Sequence, residues 1–182
     1  MIIANVNDAI EYLKNGEIIG YPTEAVYGIG CDPWNKVSVD KIAKIKRRSL
    51  NKPFLMVASS IDQLDDLIDV TQLTSQVKLS WPGHTTWLIK AKKNVPSWLQ
   101  DTESRKIGIR ISSHPIVKSL CDLFKKPIIS TSANMSGEDE IKSQLEFKKN
   151  FSSKIKYLVD GKLGSYENAS TIIDMESNKK IR

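Results

Sequence analysis

The apolar residues of this chain fall into short runs, and stretches with helical periodicity separate these runs at irregular intervals. Short apolar runs suit buried strands, whereas apolar residues three or four positions apart lie on one face of a helix. Strands and helices therefore mix along the chain without a strict alternation. The pattern predicts an α/β or α+β fold, built on a twisted, mixed, open sheet with flanking helices.

The predicted strands are short, and several are bounded by proline, glycine or serine, which favour turns. Pro22 is expected to halt the first strand. Ile181 could pair at a sheet edge. The predicted strands are Ile18–Tyr21, Phe54–Ala58, Thr85–Ile89, Ile107–Ile111, Ile128–Ile129, Tyr157–Val159 and Thr171–Ile173.

The predicted helices begin at residues that favour helix N-termini. Asn7 is expected to cap the first helix, which closes at Asn15-Gly16, and Ser38 is expected to cap the second. Pro115 suits the first turn of a helix that runs to Phe124, because proline lacks the N–H that would be unpaired there. Two further helices are predicted, one through Leu64, Leu67 and Ile68 and one ending near Leu79.

The length of 182 residues suits one domain spanning 1–182, and 40% hydrophobic with 26% charged residues is a globular composition. Cys31 and Cys121 form no CxxC pair, so no metal or redox site is expected and buried thiols are favoured over one disulfide. The N-terminus lacks a basic segment followed by a long apolar run, which predicts a cytoplasmic protein without a membrane span. The net charge of +6 is compatible with nucleic acid, a nucleotide or a solvated basic surface.

A first polar segment, residues 21–30, reads as strand, turn and helix, with the Thr23 and Tyr27 hydroxyls beside a glycine-containing turn. Gly28-Ile29-Gly30 lacks the third glycine of a dinucleotide fingerprint. A ligand site and an ordinary turn are equally compatible with this segment.

Four cations crowd into seven residues at Lys46-Arg47-Arg48-Ser49-Leu50-Asn51-Lys52, at the predicted end of a helix. One or two such cations complement a helix dipole, but four within seven residues favour a polyanion such as a triphosphate or an RNA backbone. No P-loop sequence occurs, so side chains and hydroxyl-rich turns would have to hold phosphates.

A hydroxyl-rich turn, Ser130-Thr131-Ser132-Ala133-Asn134-Met135-Ser136-Gly137, follows the strand Ile128–Ile129. Such a turn is either a nest of donors for a phosphate or carboxylate, or simply a serine-rich loop. Arg110 ends another apolar strand and is either a surface cation or a clamp for a carboxylate. No triad or acid pair is evident, so any catalysis would depend on positioning and charge stabilisation.

Taken in order, these segments resemble the threonylcarbamoyl-AMP synthase (TsaC/YrdC) family. The similar elements are PTEAVYG at Pro22–Gly28, KxR at Lys46 and Arg48, WPG at Trp81–Gly83, R-x-x-x-H-P at Arg110–Pro115 and STSANxSG at Ser130–Gly137. The resemblance implies a YrdC-like fold with a positively charged concave face, and the short, single-domain bacterial type.

The resemblance also implies a nucleotidyltransferase that converts L-threonine, bicarbonate or CO2 and ATP, with Mg²⁺ carried by ATP, into threonylcarbamoyl-AMP and diphosphate. A transferase complex then modifies tRNAs that read codons beginning with adenine. Lys46 and Arg48 are the implied catalytic residues. Implied threonine contacts are Thr23, Arg110, Ser130 and Ser170; implied ATP contacts are Lys46, Arg48, Lys52, Ser132 and Asn134.

Two departures from the family pattern are Ser49 after KxR and His84 after WPG, where proline is usual in both places. Two other functions remain open at this point. One is a non-catalytic protein that binds RNA or tRNA in the same basic concavity, although no aromatic-rich RNA platform is evident. The other is a carbamoyl-transfer module of the hydrogenase-maturation type, although the accompanying zinc-finger and acylphosphatase-like segments are missing.

Overall fold

A computed structural model describes residues 1–49, 53–135 and 137–182. Strands and helices mix along the described chain, which confirms the α/β class, and the strands divide between two mixed five-stranded sheets. The helices are α1 Val6–Lys14, α2 Lys36–Lys46, α3 Ser75–Ser80, α4 Pro115–Phe124 and α5 Gln144–Phe151. The strands are β1 Ile2–Ala4, β2 Ile19–Pro22, β3 Tyr27–Gly30, β4 Met56–Ala58, β5 Thr85–Lys90, β6 Lys106–Ile111, β7 Ile128–Ile129, β8 Thr131–Ser132, β9 Tyr157–Val159 and β10 Thr171–Asp174.

The first sheet has the order β1-β9-β2-β3-β8 and the second has the order β10-β5-β6-β4-β7. In the first, β9 pairs in parallel with β1 and β2, while β3 pairs antiparallel with β2 and β8. In the second, β10 and β5 are parallel, as are β4 and β6, whereas the β5–β6 and β4–β7 pairs are antiparallel. The predicted edge pairing at Ile181 is confirmed, since its N–H donates to the carbonyl of Ile172 at 2.8 Å.

The chain passes from one sheet to the other at Ser130, the residue between β7 and β8. The backbone N–H of Ile129 donates to Cys31 O at 3.0 Å, and that of Ser130 donates to Leu55 O at 2.8 Å. Gly30 is required at this crossing, because a Cβ there would lie 2.3 Å from the carbonyl oxygen of Ile129. The two sheets therefore meet where the hydroxyl-rich turn begins.

The first two helix caps differ from the predicted ones. Asn5, not Asn7, caps α1 by accepting from the N–H of Asp8 at 2.9 Å. Asn35, not Ser38, caps α2, and the Ser38 hydroxyl instead donates to the carbonyl of Gly16 at 2.6 Å. In both cases an asparagine two or three residues earlier in the chain satisfies the free N–H groups of the first turn.

Two helical segments were mispredicted. Leu64, Leu67 and Ile68 are buried as expected, but they lie in a 3₁₀ helix, Ile61–Leu64, and the turn after it, not in an α-helix. Successive turns bury apolar residues three positions apart as well as an α-helix does. The helix α5 was not predicted, although Ser143 caps it and Phe147 and Phe151 pack into the core.

Both cysteines, Cys31 and Cys121, are free and buried, as expected. Within the described ranges, no helix is both long and apolar enough to cross a membrane.

Candidate active site

A cavity opens where the two sheets meet, and both sheets contribute to its walls. The turn between β2 and β3 forms one side, and β4, β5 and β6 supply another. The hydroxyl-rich turn completes the cavity, together with Ala169 and Ser170 before β10 and with Arg182, which pairs with Ile172 of β10. Its polar lining residues are Thr23, Arg48, His84, Thr86, Arg110, Ser130, Thr131, Ser132, Glu140, Ser170 and Arg182.

Most of the residues singled out from the sequence meet in this one cavity, although they come from distant parts of the chain. Two of them are outside the lining: Asn134, which lies within the hydroxyl-rich turn, and Lys46, which donates to it. Lys52 falls outside the described residues. The predicted residues in the lining are Thr23, Arg48, Arg110, Ser130, Ser132 and Ser170.

The first polar segment, residues 21–30, belongs to a strand–turn–strand unit, so the helix predicted after its turn is wrong. Both the backbone N–H and the hydroxyl of Thr23 donate to the carbonyl of Val26, at 3.1 and 2.7 Å. Gly28 lies in β3 close to Thr23 and Tyr21, where a Cβ would be 3.1 Å from the Thr23 methyl. The turn is thus fixed by its own bonds, and the Thr23 hydroxyl keeps its lone pairs for a ligand.

Arg110 projects from β6 and forms a buried ion pair with Glu24, a residue that the sequence reasoning did not single out. Nη1 of Arg110 donates to Oε1 of Glu24, and the Ser112 hydroxyl donates to the same oxygen at 2.6 Å. Burial raises the pKa of Glu24, but the charge of Arg110 and the hydrogen bonds from Arg110 and Ser112 outweigh it, so the pKa is lowered overall. Glu24 is therefore a carboxylate at neutral pH.

Ser170 precedes β10 and is held by two neighbours that also line the cavity. Its hydroxyl lies 2.8 Å from the hydroxyl of Thr86 in β5, and Arg182 donates to its carbonyl from Nε and Nη2, at 3.1 and 3.0 Å. Arg182 was not predicted, because its place in the cavity follows only from the pairing of the chain end along β10.

Arg48 and Arg182 form a cationic pair without a carboxylate. Arg48 donates to the carbonyl of Pro53 at 3.0 Å, and its guanidinium carbon lies 4.8 Å from the centre of the Phe54 ring. Burial and then the charge of Arg182 lower the pKa of Arg48. No Asp or Glu oxygen of the described residues lies within 4.0 Å of either guanidinium group. Two cations that line one cavity in this way suit an anionic ligand.

Lys46, the last residue of α2, is 4% exposed and ties the helix to the hydroxyl-rich turn. Its ammonium donates to the carbonyls of Ser132 and Asn134 and to Oδ1 of Asn134. Oδ1 of Asn134 also accepts from the Ser132 hydroxyl at 2.7 Å. Burial, followed by the charge of Arg48, lowers the pKa of Lys46 to about 8. Lys46 and Asn134 thus shape the turn whose hydroxyl groups line the cavity.

His84 and Glu140 are further lining residues that the sequence reasoning left aside. His84 stands where the family usually has proline. Its Nε2 lies 2.7 Å from the carbonyl of Asn168, and its ring stacks on Tyr166 with centroids 4.1 Å apart. His84 therefore joins the turn before β5 to the loop before β10. Among the described lining residues, Glu140 is the one that carries a carboxylate. The described residues contain no group of three or more His, Cys, Asp or Glu side chains that could hold a metal ion.

The chemistry of the cavity follows from these contacts. It combines arginine side chains, which fit carboxylates and phosphates, with serine and threonine hydroxyls that orient a small polar ligand. None of the hydrogen bonds found in the described chain joins a lining hydroxyl to a histidine as in a hydrolytic triad. The arrangement suits a reaction between two anionic groups that must be held together.

Comparison with known proteins identifies the family that the sequence motifs indicated. The Sua5/YciO/YrdC family model, described as "Telomere recombination", matches residues 11–182. The threonylcarbamoyl-AMP synthase of Pseudoalteromonas translucida is 41% identical over 96% of this chain and 95% of its own length. That of Wigglesworthia glossinidia brevipalpis is 40% identical over 100% and 95%.

A solved structure of P. abyssi Sua5 complexed with L-threonine superposes with a TM-score of 0.87 and 26% identity over 97% of this chain. The chain spans 55% of that longer protein. The described fold is thus YrdC-like, as the sequence motifs implied. The family model and the full-length relatives agree, and the chain belongs to the Sua5/YciO/YrdC family.

Proposed function

We propose that this protein is a threonylcarbamoyl-AMP synthase, which converts L-threonine, bicarbonate or CO2 and ATP into threonylcarbamoyl-AMP and diphosphate. Its relatives of that name match it along nearly their whole length. The observation that carries the proposal is the cavity, where Arg110 and the Arg48–Arg182 pair share one set of walls with serine and threonine hydroxyls. Such a cavity provides for a carboxylate and a polyphosphate in the same place.

The threonine site is assigned to Thr23, Arg110, Ser130 and Ser170. A guanidinium group suits the amino-acid carboxylate, because its planar fork donates two parallel hydrogen bonds. Three buried hydroxyl groups within one cavity suit a ligand that itself carries a hydroxyl. The full-length match to threonylcarbamoyl-AMP synthases favours this function over a non-catalytic RNA-binding protein and over a carbamoyl-transfer module.

The ATP site is assigned to Lys46, Arg48, Lys52, Ser132 and Asn134. Arg48 faces the cavity and supplies a charge for the phosphates, with Arg182 beside it. Lys46 and Asn134 act through the hydroxyl-rich turn that they hold in shape. Mg²⁺ enters as part of the MgATP substrate, since the described lining offers one carboxylate, Glu140.

The reaction needs no covalent intermediate with the protein. The threonine amine, after it loses a proton from its ammonium form, bonds to the carbon of CO2, or to that of bicarbonate with loss of water, and a second proton leaves the nitrogen to give a carbamate. An oxygen of this carbamate attacks the α-phosphorus of ATP. The bond from that phosphorus to the bridging oxygen of the β-phosphate breaks, and diphosphate leaves. Arg48 stabilises the charge that moves onto diphosphate, while Arg110 and the hydroxyls hold the carbamate in line.

The product is a reactive mixed anhydride, so an acceptor enzyme has to take it up. We assign that role to a cytoplasmic tRNA-modifying transferase complex that acts on tRNAs reading codons beginning with adenine. We also propose that the basic surface of the protein contacts tRNA. These partners are inferred from the chemistry of the product and from the family.

Diphosphate release from ATP, measured without RNA, tests the proposal against a non-catalytic RNA-binding protein. Release should require threonine and bicarbonate together, and omission of either should reduce it to background. Release that needs neither, or no release in the complete mixture, would overturn the proposed function.

A further inference from the structure

We propose that Glu24 is a positioning residue that fixes Arg110 and makes the threonine site select a zwitterion over a simple carboxylate anion. The inference rests on the proposed function, because it deepens the role of the same site. It assigns a task to a residue of the PTEAVYG motif that has no assigned contact with either substrate.

Glu24 is as deeply buried as the arginine that it contacts, with side-chain exposures of 4% for Glu24 and 8% for Arg110. Two donors converge on its Oε1, from Arg110 and Ser112. Its Oε2 is also buried, yet accepts no hydrogen bond from the described residues. A buried carboxylate with one oxygen unpaired is costly, so its retention in the site calls for a function.

The backbone of Glu24 is fixed from the other side. Its carbonyl accepts from the N–H of Tyr166 at 3.1 Å, and the N–H of Gly164 donates to the carbonyl of Thr23 at 3.0 Å. Gly164 packs so closely that a Cβ there would lie 2.7 Å from the carbonyl oxygen of Glu24. The backbone of Glu24 is therefore held in place, while the hydrogen bonds from Arg110 and Ser112 hold its carboxylate.

Arg110 touches Glu24 with Nη1 and also lines the cavity. A ligand carboxylate on the same guanidinium group would thus lie within roughly 6 Å of the Glu24 carboxylate, the range in which buried charges interact strongly. The ion pair has no net charge, so it offers little attraction to an anion. An amino acid carries its ammonium one carbon from its carboxylate, and this ammonium is attracted by Glu24.

The site therefore differs from an isolated arginine clamp, which would bind carboxylic acids with or without an amino group. A neutral ion pair beside the cavity attracts a molecule that carries both charges more strongly than one that carries a carboxylate alone. This selectivity matters because a hydroxy acid that occupied the site would have no nitrogen to carboxylate. Such a ligand would block the enzyme without forming a product.

The test compares binding of L-threonine and (R)-3-hydroxybutyrate, which is threonine without its amino group, by calorimetry. The wild-type protein should bind threonine at least about ten-fold more tightly. Glu24→Gln keeps the shape and an oxygen acceptor for Arg110 and Ser112 but removes the charge. It should weaken threonine and strengthen hydroxybutyrate, so that their ratio falls about ten-fold or more.

Glu24→Asp is the matched control, since it keeps the charge with a shorter reach, and the ratio should stay near the wild-type value even if both ligands bind more weakly. If Glu24→Gln changed the binding of both ligands equally, Glu24 would have only a structural role, and the inference would be overturned. So would a wild-type protein that binds the two ligands equally, a result that needs no variant to fold. Failure of the wild-type protein to bind threonine at all would instead contradict the proposed function.

Discussion

The ammonium of Lys46 donates to both the backbone carbonyl and the side-chain oxygen of Asn134, at 2.8 and 2.9 Å. This bond joins the end of α2 to the turn that follows β8, across 88 residues of sequence. The KxR and STSAN elements thus form one structural unit. Because Lys46 already has protein partners, its contribution to stability has to be separated from its contribution to phosphate chemistry.

Replacement of Lys46 by methionine should destabilise the fold, because it leaves the carbonyl of Asn134 without its ammonium donor and removes one of two donors from the Ser132 carbonyl and from Oδ1 of Asn134. We expect a loss of about 1–3 kcal/mol in the free energy of unfolding, measured by urea denaturation. Lys44→Met is the control, since Lys44 is exposed on the same helix, and it should change stability by less than about 0.5 kcal/mol. Equal effects of the two changes would show that the hydrogen bonds of Lys46 contribute nothing to the free energy of unfolding.

Arg48→Ala should affect the chemistry more than the fold. Its side chain faces the cavity, and loss of one preorganised donor to a developing charge lowers the rate on the order of 100- to 1000-fold. Diphosphate release and a thermal melt measure the two effects together.

Arg47→Asn provides the comparison for Arg48. Arg47 is the exposed C-cap of α2 at φ 51°, a left-handed conformation that asparagine tolerates. It lies outside the cavity lining, so activity should stay within a few-fold of wild type. If both variants lose activity alike, the cluster acts as diffuse positive charge and the specific contact of Arg48 is wrong.

The pH dependence of the reaction should report on Lys46, whose pKa is lowered to about 8 by burial and by Arg48. Only the protonated ammonium carries a charge, so kcat/KM for ATP at saturating threonine and bicarbonate should fall as pH rises through about 8. Bound phosphate favours the charged form, so kcat should hold to a higher pH. A kcat/KM profile that stays flat to pH 9 would exclude a protonated Lys46 from ATP binding.

Arg110→Lys keeps the positive charge beside Glu24 but loses the two-pronged contact with a carboxylate. We expect the KM for threonine to rise about ten-fold or more, with little change in the KM for ATP. Initial rates with each substrate varied in turn give both constants. A similar rise in both would make Arg110 a general electrostatic element of the cavity.

Most of the strands could be predicted from the sequence, because local apolar runs such as Thr85–Ile89 and Ile107–Ile111 carry their own signal. The strand Tyr27–Gly30 could not, since its two glycines resemble a turn. Gly30 is instead selected by the close approach of the Ile129 carbonyl, a contact between residues 99 positions apart in sequence.

Only part of the candidate site could be predicted from the sequence. Motif resemblance drew attention to Thr23, Arg110 and Ser170, which do line one cavity. It did not reveal Glu24 or Arg182, whose positions depend on long-range contacts with Arg110 and Ser170. The pairing of Glu24 with Arg110 joins residues 86 positions apart, so no local sequence pattern indicates it and only the folded structure reveals it.

The most direct test of the account is detection of the product by mass spectrometry. Purified protein incubated with L-threonine, MgATP and ¹³C-labelled bicarbonate should form threonylcarbamoyl-AMP that carries the label, because the carbamoyl carbon comes from bicarbonate. The labelled product should be absent when threonine is omitted and strongly reduced with Arg48→Ala. Hydrolysis of ATP without any labelled threonylcarbamoyl-AMP in the complete mixture would contradict the central claim.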